Sequence, residues 1–203
     1  MKEHFYIGVD LGQVNDPTAI AVLEYSEELG PVRNPVTWAF PVHKRWILRQ
    51  VERMRLGTEF SDVARRVGQF ARYFGGPGRP LPGSEWYYRG PGVTLVVDAT
   101  GLGSPVLEMI RKEPMRANIV GVKLTGGSGA NKADKHWNVA KTELMGRLAA
   151  MVDNGELWAA GDLANKEQWL DEMESVNAET LQGNPDDMVI ATALACWWAR
   201  RKG

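Results

Sequence analysis

Short apolar runs separated by turn-forming residues dominate the start of the chain. Phe5 to Val9 is apolar and ends on a carboxylate, Asp10. Thr18 to Leu23 is again aliphatic and β-branched, and Gly12, Asn15, Asp16 and Pro17 lie between the two runs. This pattern predicts a β-hairpin with an acid at the end of its first strand. A polar turn over Glu27–Pro35 and a third run, Val36 to Val42, extend it to a three-stranded antiparallel meander. His43 to Arg55 interleaves Lys44, Arg45, Arg49, Arg53 and Arg55 with Trp46, Ile47, Leu48 and Val51. That stretch reads as an amphipathic connector with a solvated basic face, or as a phosphate contact. Phe60, Val63, Ala64, Val67, Phe70, Ala71 and Phe74 recur at a helical period, which predicts a helix over Phe60–Phe74.

The second half has a different rhythm. Gly75–Gly92 is rich in glycine and proline and reads as an exposed loop, with Trp86–Tyr88 to pin it. Val93–Val97 is a continuous apolar run ending on Asp98, as expected for a strand buried on both faces of a parallel sheet. Ser104 as N-cap and Pro105 at the first helical position predict a helix to about Lys112, and Ile119–Leu124 is the next strand. Together they predict a β-α-β unit after the meander. Gly126–His136 is glycine-rich and basic, with Lys132 and Lys135, but lacks the spacing of a phosphate-binding P-loop. Asn138 is the expected cap of a helix to Val152, Leu157–Ala159 is a short extended piece, and Asp162 is the expected cap of a helix through Met173. After a turn at Leu181–Asn184, Asn184 and Pro185 open a last helix with Asp186 and Asp187 in its first turn. Met188–Ala199 is apolar nearly all round, so this helix is expected to be buried.

Composition narrows the function classes. The chain has 203 residues, 44% apolar and 24% charged, with a net charge of −1. We expect a single domain over residues 1–203. No global field draws it to nucleic acid, so such a partner requires a local basic patch. The one cysteine, Cys196, lies in the last apolar run and is expected to be a small core residue. Trp197 and Trp198, two of eight tryptophans, are expected in the core or at a contact surface. No apolar run approaches the ~20 residues needed to span a bilayer, and no signal segment opens the chain, so a soluble, cytoplasmic protein without a membrane partner is expected.

Three acidic positions carry the candidate chemistry. Asp10 and Asp98 each end a strand, and Asp186 and Asp187 open a helix. In open α/β sheets, ligand sites lie beyond the carboxyl ends of strands. Carboxylates brought together there repel, and a hard divalent cation relieves the conflict. Other readings stand beside this one. Asp186 and Asp187 complement the helix dipole, Asp98 is a strand-end turn former, and Asp10 merely ends its strand. Asp16 reads as a turn residue and His4, His43 and His136 as surface. Gly8 and Gly12 read as room for close backbone approach to a metal or DNA.

This order of elements resembles the ribonuclease H-like fold, a mixed sheet with antiparallel strands 1–3 then parallel strands, flanked by helices. Within it, GVDLGQVNDPTA at the start, VVDATGLG at Val96–Gly103, WNVAKTEL at Trp137–Leu144 and GNPDDMVIATALACWW at Gly183–Trp198 resemble the nuclease domain of phage terminase large subunits. The resemblance implies a metal-dependent endonuclease that cuts concatemeric double-stranded viral DNA during packaging. It implies two Mg²⁺ or Mn²⁺ ions held by Asp10, Asp98 and Asp187, with Asp186 auxiliary. Lys141 matches a lysine that recurs in the family, and Lys132, Lys135, Arg45 and Arg49 are the further candidates for DNA phosphates. The implied partners are DNA, a packaging ATPase domain or subunit, the portal and a small terminase subunit. Asn184 and Pro185 stand where a histidine often precedes the family's acidic pair, and no ATPase motif is present. Two rival readings are an actin-like or sugar-kinase-like phosphotransferase, suggested by DLGQ and DATGLGSP, and a non-catalytic DNA-binding packaging module.

Overall fold

Three strands built on the first apolar runs form the meander: β1 (Lys2–Asp10), β2 (Ala19–Leu29) and β3 (Val42–Arg53). They belong to a computed structural model that describes residues 2–12, 16–76, 79–80, 87–88, 91–101, 103–176 and 186–202. The third strand is not the expected Val36–Val42 but the basic stretch after it. Trp46, Leu48 and Val51 are its buried positions, and their spacing breaks strict alternation. The break has a cause: Leu23 pairs with Leu48 but Val22 with Gln50, which leaves Arg49 as an extra residue. Such a bulge inverts the parity of the inward positions beyond it. Val36 and Trp38 are instead 85% and 73% exposed.

The remaining elements are α1 (Phe60–Gly75), a small ribbon of β4 (Arg79–Pro80) and β5 (Tyr87–Tyr88), β6 (Gly92–Asp98), α2 (Gly103–Lys112) and β7 (Asn118–Thr125). Trp86 lies outside the described residues. The basic end of the glycine-rich stretch leads into a hairpin, β8 (Ala130–Ala133) and β9 (His136–Ala140). Asn138 therefore sits within a strand, paired with Lys123 and Asn131, and α3 (Lys141–Asp153) is entered from Ala140 without a side-chain cap. After β10 (Leu157–Ala159), α4 (Lys166–Ser175) follows Asn165, whose left-handed φ of 58° turns the chain, so Asp162 is not its cap. The last helix, α5, spans Asp187–Lys202. The expected turn at Leu181–Asn184 and the cap pair Asn184 and Pro185 lie outside the described residues.

Eight strands form one sheet in the order β10-β3-β2-β1-β6-β7-β9-β8. The β1–β2 and β2–β3 pairs are antiparallel, while β6 joins β1, β7 joins β6 and β9 joins β7 in parallel. This is the mixed sheet expected from the sequence. Strand alternation sorts the core into two faces. Phe5, Ile7, Val9, Leu95 and Val97 pack with α1 and α2. Tyr6, Val96, Val122 and Val51 pack on the other face with α3, α4 and α5.

The α5 helix is the centre of that second face. Every residue from Met188 to Ala199 is buried, which explains the absence of a polar stripe in its sequence. Burial pushes the Cys196 thiol up to about 12, as for an inert core residue. Trp197 and Trp198 are core residues too, and the Trp137 ring meets them edge-on at 5.8 and 5.9 Å. No helix among the described residues is long and apolar enough to cross a membrane.

Gly8 lets α5 reach the sheet. A Cβ at this position would lie 1.8 Å from the carbonyl oxygen of Ala191. The missing side chain thus makes room for a helix backbone, where the sequence had suggested a metal or DNA. At Gly12 a Cβ would lie 2.0 Å from the Asp16 carbonyl oxygen, so this glycine closes its own loop. Gly8→Ala must lift α5 off β1. We expect a loss of about 3 kcal/mol, read from the denaturant midpoint, whereas an unchanged midpoint would mean that the helix does not sit on Gly8.

Candidate functional site

Strand parity and register bring the acids together. Asp10 shares a face with Tyr6 and Gly8, and Asp98 shares that face with Val96, so both project towards α5. Val9 pairs with Val97, which makes Asp10 and Asp98 neighbours at the ends of parallel strands. On α5, Asp187 lies one turn before Ala191, the residue that covers Gly8. Four helical residues advance about 6 Å and two strand residues about 7 Å, so Asp187 and Asp10 arrive at the same level. The row continues the other way: Asp10 pairs with Ala19 and Ala19 with Arg53. Arg53 shares the parity of Val51 and so also faces α5.

The electrostatics follow from this crowding. Asp98 and Asp187 are buried, at 8% and 7% exposure, and Asp10 is half-buried. Desolvation raises the Asp10 carboxyl well above its usual value, and Asp98, Asp187 and Asp186 raise it further, against a lowering by Lys141. Desolvation also raises Asp98, opposed by the Thr100 side chain and backbone and by Lys141. Thr100 donates to Asp98 Oδ1 from its amide at 2.8 Å and its hydroxyl at 2.5 Å, while its Oγ1 accepts from the Leu124 amide at 2.8 Å. Asp187 is raised by desolvation, lowered by Arg53, and raised again by Asp186 and by Asp16. Lys141 Nζ donates to Asp186 Oδ2 at 2.6 Å. Arg53 Nε lies 3.5 Å from Asp187 Oδ2, and Arg53 Nη2 is in direct contact with Glu172 Oε1. Glu172 is itself buried, and its Oε2 accepts from the amides of Met188 and Val189 at 3.0 and 3.3 Å. A side chain of α4 therefore caps α5. Among the described residues, no three acidic, histidine or cysteine side chains form a set arranged to hold an ion.

Two solved structures share this architecture. One is the large terminase nuclease from the thermophilic phage G20c, with a TM-score of 0.50, 19% identity, and coverage of 95% of this chain and 81% of that one. The other is the human cytomegalovirus terminase nuclease domain, solved Mn soaked and inhibitor bound. It gives a TM-score of 0.53 and 9% identity over 96% of this chain and 83% of that one. The fold is that of a terminase nuclease domain. No protein-family model matches the sequence, and no curated protein is similar to it beyond chance.

On this terminase-nuclease fold, the acids and Lys141 share one end of the sheet, while the other basic candidates stand elsewhere. Arg45 pairs with Glu28 at 3.7 Å and Arg49 with Glu24 at 2.6 Å, both away from the acids along β3. Asp98, Val122, Trp137 and Lys132 form one cross-strand row, which puts Lys132 three strands, about 14 Å, from Asp98. Lys135 lies in the turn beyond it. His43 is exposed, but His4 is half-buried and shares a 3.0 Å hydrogen bond with the Thr94 hydroxyl, so it is not simply a surface residue. Arg53, Glu172 and Thr100 were not singled out as site residues. Recognising the bulge at Arg49 would have exposed Arg53. A mid-helix glutamate such as Glu172 carries no comparable signal.

The crowding has a thermodynamic consequence in the metal-free protein. The folded pKa of Asp10 lies above the unfolded value of about 4. The folded state therefore binds a proton more readily, and stability falls as pH rises from that value through the raised one. Asp10→Asn removes the cost. We expect its melting temperature at neutral pH, with chelator present, to exceed wild type by about 2–6 °C. The gap should shrink as pH falls towards 4. A variant no more stable than wild type at neutral pH would refute the cost of burying Asp10 among the other acids.

Proposed function

We propose that this chain is a divalent-metal-dependent endonuclease that cuts double-stranded viral DNA during genome packaging. The observation that carries the reading is the meeting of Asp10, Asp98 and Asp187 on one face, at the carboxyl ends of two parallel strands. The terminase-nuclease fold supports it.

The donor set fits Mg²⁺ or Mn²⁺. All of the grouped acids offer hard oxygen ligands, burial and then their mutual repulsion raise Asp10, and Asp187 Oδ2 is buried without a hydrogen bond. In this reading Asp10, Asp98 and Asp187 hold the ions, and Asp186, tied to Lys141, is auxiliary. Two bound ions would supply an activated water and charge stabilisation for the leaving oxygen of a phosphodiester. The chain's own groups supply the rest. Thr100 fixes the Asp98 carboxylate from two donors, α5 fixes Asp187 through its seat on Gly8, and Lys141 adds positive charge beside the acids. Lys132 and Lys135 lie exposed on the β8–β9 hairpin, where a duplex extending from the acids can be met by phosphate contacts. A packaging ATPase, the portal and a small terminase subunit are the partners this role requires.

Plasmid cleavage with Mn²⁺ tests the reading. Wild type should nick and linearise supercoiled DNA. Asp10→Asn, Asp98→Asn and Asp187→Asn should each lower the rate by at least about 10²-fold, and chelation should abolish it. Equal cleavage by all four proteins would remove the site assignment. Metal-independent DNA binding without cleavage would favour a non-catalytic packaging module.

A further inference from the structure

We propose that Arg53 is a resident counter-cation of the carboxylate cluster, holding Asp187 in the metal-free protein and yielding it when a divalent ion binds. The proposal rests on the metal-site reading above.

Register and parity put the guanidinium there. Arg53 ends β3, in the row that runs through Ala19 to Asp10, and it faces α5. It has two acidic partners of different character. Glu172 is buried and immobilised, because its Oε2 caps the amides of Met188 and Val189. The helix bearing Glu172 is further pinned to α5 by Trp169, whose Nε1 donates to Thr192 Oγ1 at 3.1 Å. Asp187 is the looser partner. Its Oδ2 lies 3.5 Å from Arg53 Nε, and neither atom makes a hydrogen bond although both are buried. The contact is one of charge alone.

A buried cation that loses its only partner pays heavily, which makes simple ion pairs poor exchangers. Arg53 escapes that penalty, since Glu172 remains against it when Asp187 leaves. Asp187, meanwhile, stands level with Asp10 on the same face, yet among the described residues no three acids form an ion-holding set. Turning Asp187 from Arg53 to an ion would complete such a set. A guanidinium and a divalent ion then compete for one carboxylate oxygen, and each weakens the other's hold by the same factor.

Titration of Mn²⁺ into chelator-stripped protein, followed by calorimetry and by the Mn²⁺-induced rise in melting temperature, tests the exchange without reference to activity. Arg53→Gln should bind Mn²⁺ roughly tenfold tighter than wild type, although its metal-free form melts lower. Arg53→Lys, which keeps the charge, should stay near wild type. Glu172→Gln retains an oxygen to cap α5 but leaves the cation to Asp187 alone, so its Mn²⁺ affinity should fall. A purely structural role for Arg53 would weaken Mn²⁺ binding in Arg53→Gln as in Glu172→Gln, and that result, or unchanged affinity in Arg53→Gln, overturns the exchange. Absence of saturable Mn²⁺ binding by wild type overturns the metal-site reading itself, and the exchange with it.

Discussion

The seat of α5 on Gly8 is the contact on which the site depends. Helix and strand approach there without an intervening side chain, and the approach fixes both the depth and the axial position of the helix. Asp187 is carried along, one turn from Ala191, to the level of Asp10. Because α5 is apolar on all sides, it has no alternative surface to present to water, and the sheet cannot trade it for another helix. Tryptophans 137, 197 and 198 close the far end of the same layer.

That packing creates an electrostatic problem which the chain solves unevenly. Asp186 has Lys141 and Asp187 has Arg53, whereas Asp98 has the neutral donors of Thr100. Asp10 sits between them with the strongest push towards protonation. Proteins tolerate such unrelieved repulsion where function requires it, and perturbed carboxylates gather at sites of chemistry for this reason. Glu172 shows the opposite treatment. It is as buried as Asp187, yet it meets a cation and a helix terminus together.

Much of this was legible in the sequence, for identifiable reasons. Buried parallel strands read as unbroken apolar runs, so Val93–Val97 and the acid after it stood out. The α1 helix followed from its period, and α5 from its lack of one. The third strand was displaced because a single bulged residue, Arg49, breaks the period of two on which strand recognition rests. The β8–β9 hairpin gave no strand signal, because β8 is four residues long with Asn131 and Lys132 exposed at its centre. The three acids stood out because each ends or opens an element. Their cationic partners did not, because pairing Arg53 with Asp187 requires both the register of β3 and the cap supplied by α4. Gly8 was noticed for the right property, closeness of approach, but the visitor is a helix.

The contact between Gly8 and Ala191 also joins the first described strand to the last described helix. Closing so long a stretch of chain carries a loop-closure cost in entropy. Asp10 and Asp98 meet through the pairing of β1 with β6, whereas Asp187 joins them only through the docking of α5 on Gly8. A chain locally unfolded at α5 therefore keeps Asp10 beside Asp98 but loses Asp187. Assembly of the full cluster thus reports that the last described helix is docked on the first described strand.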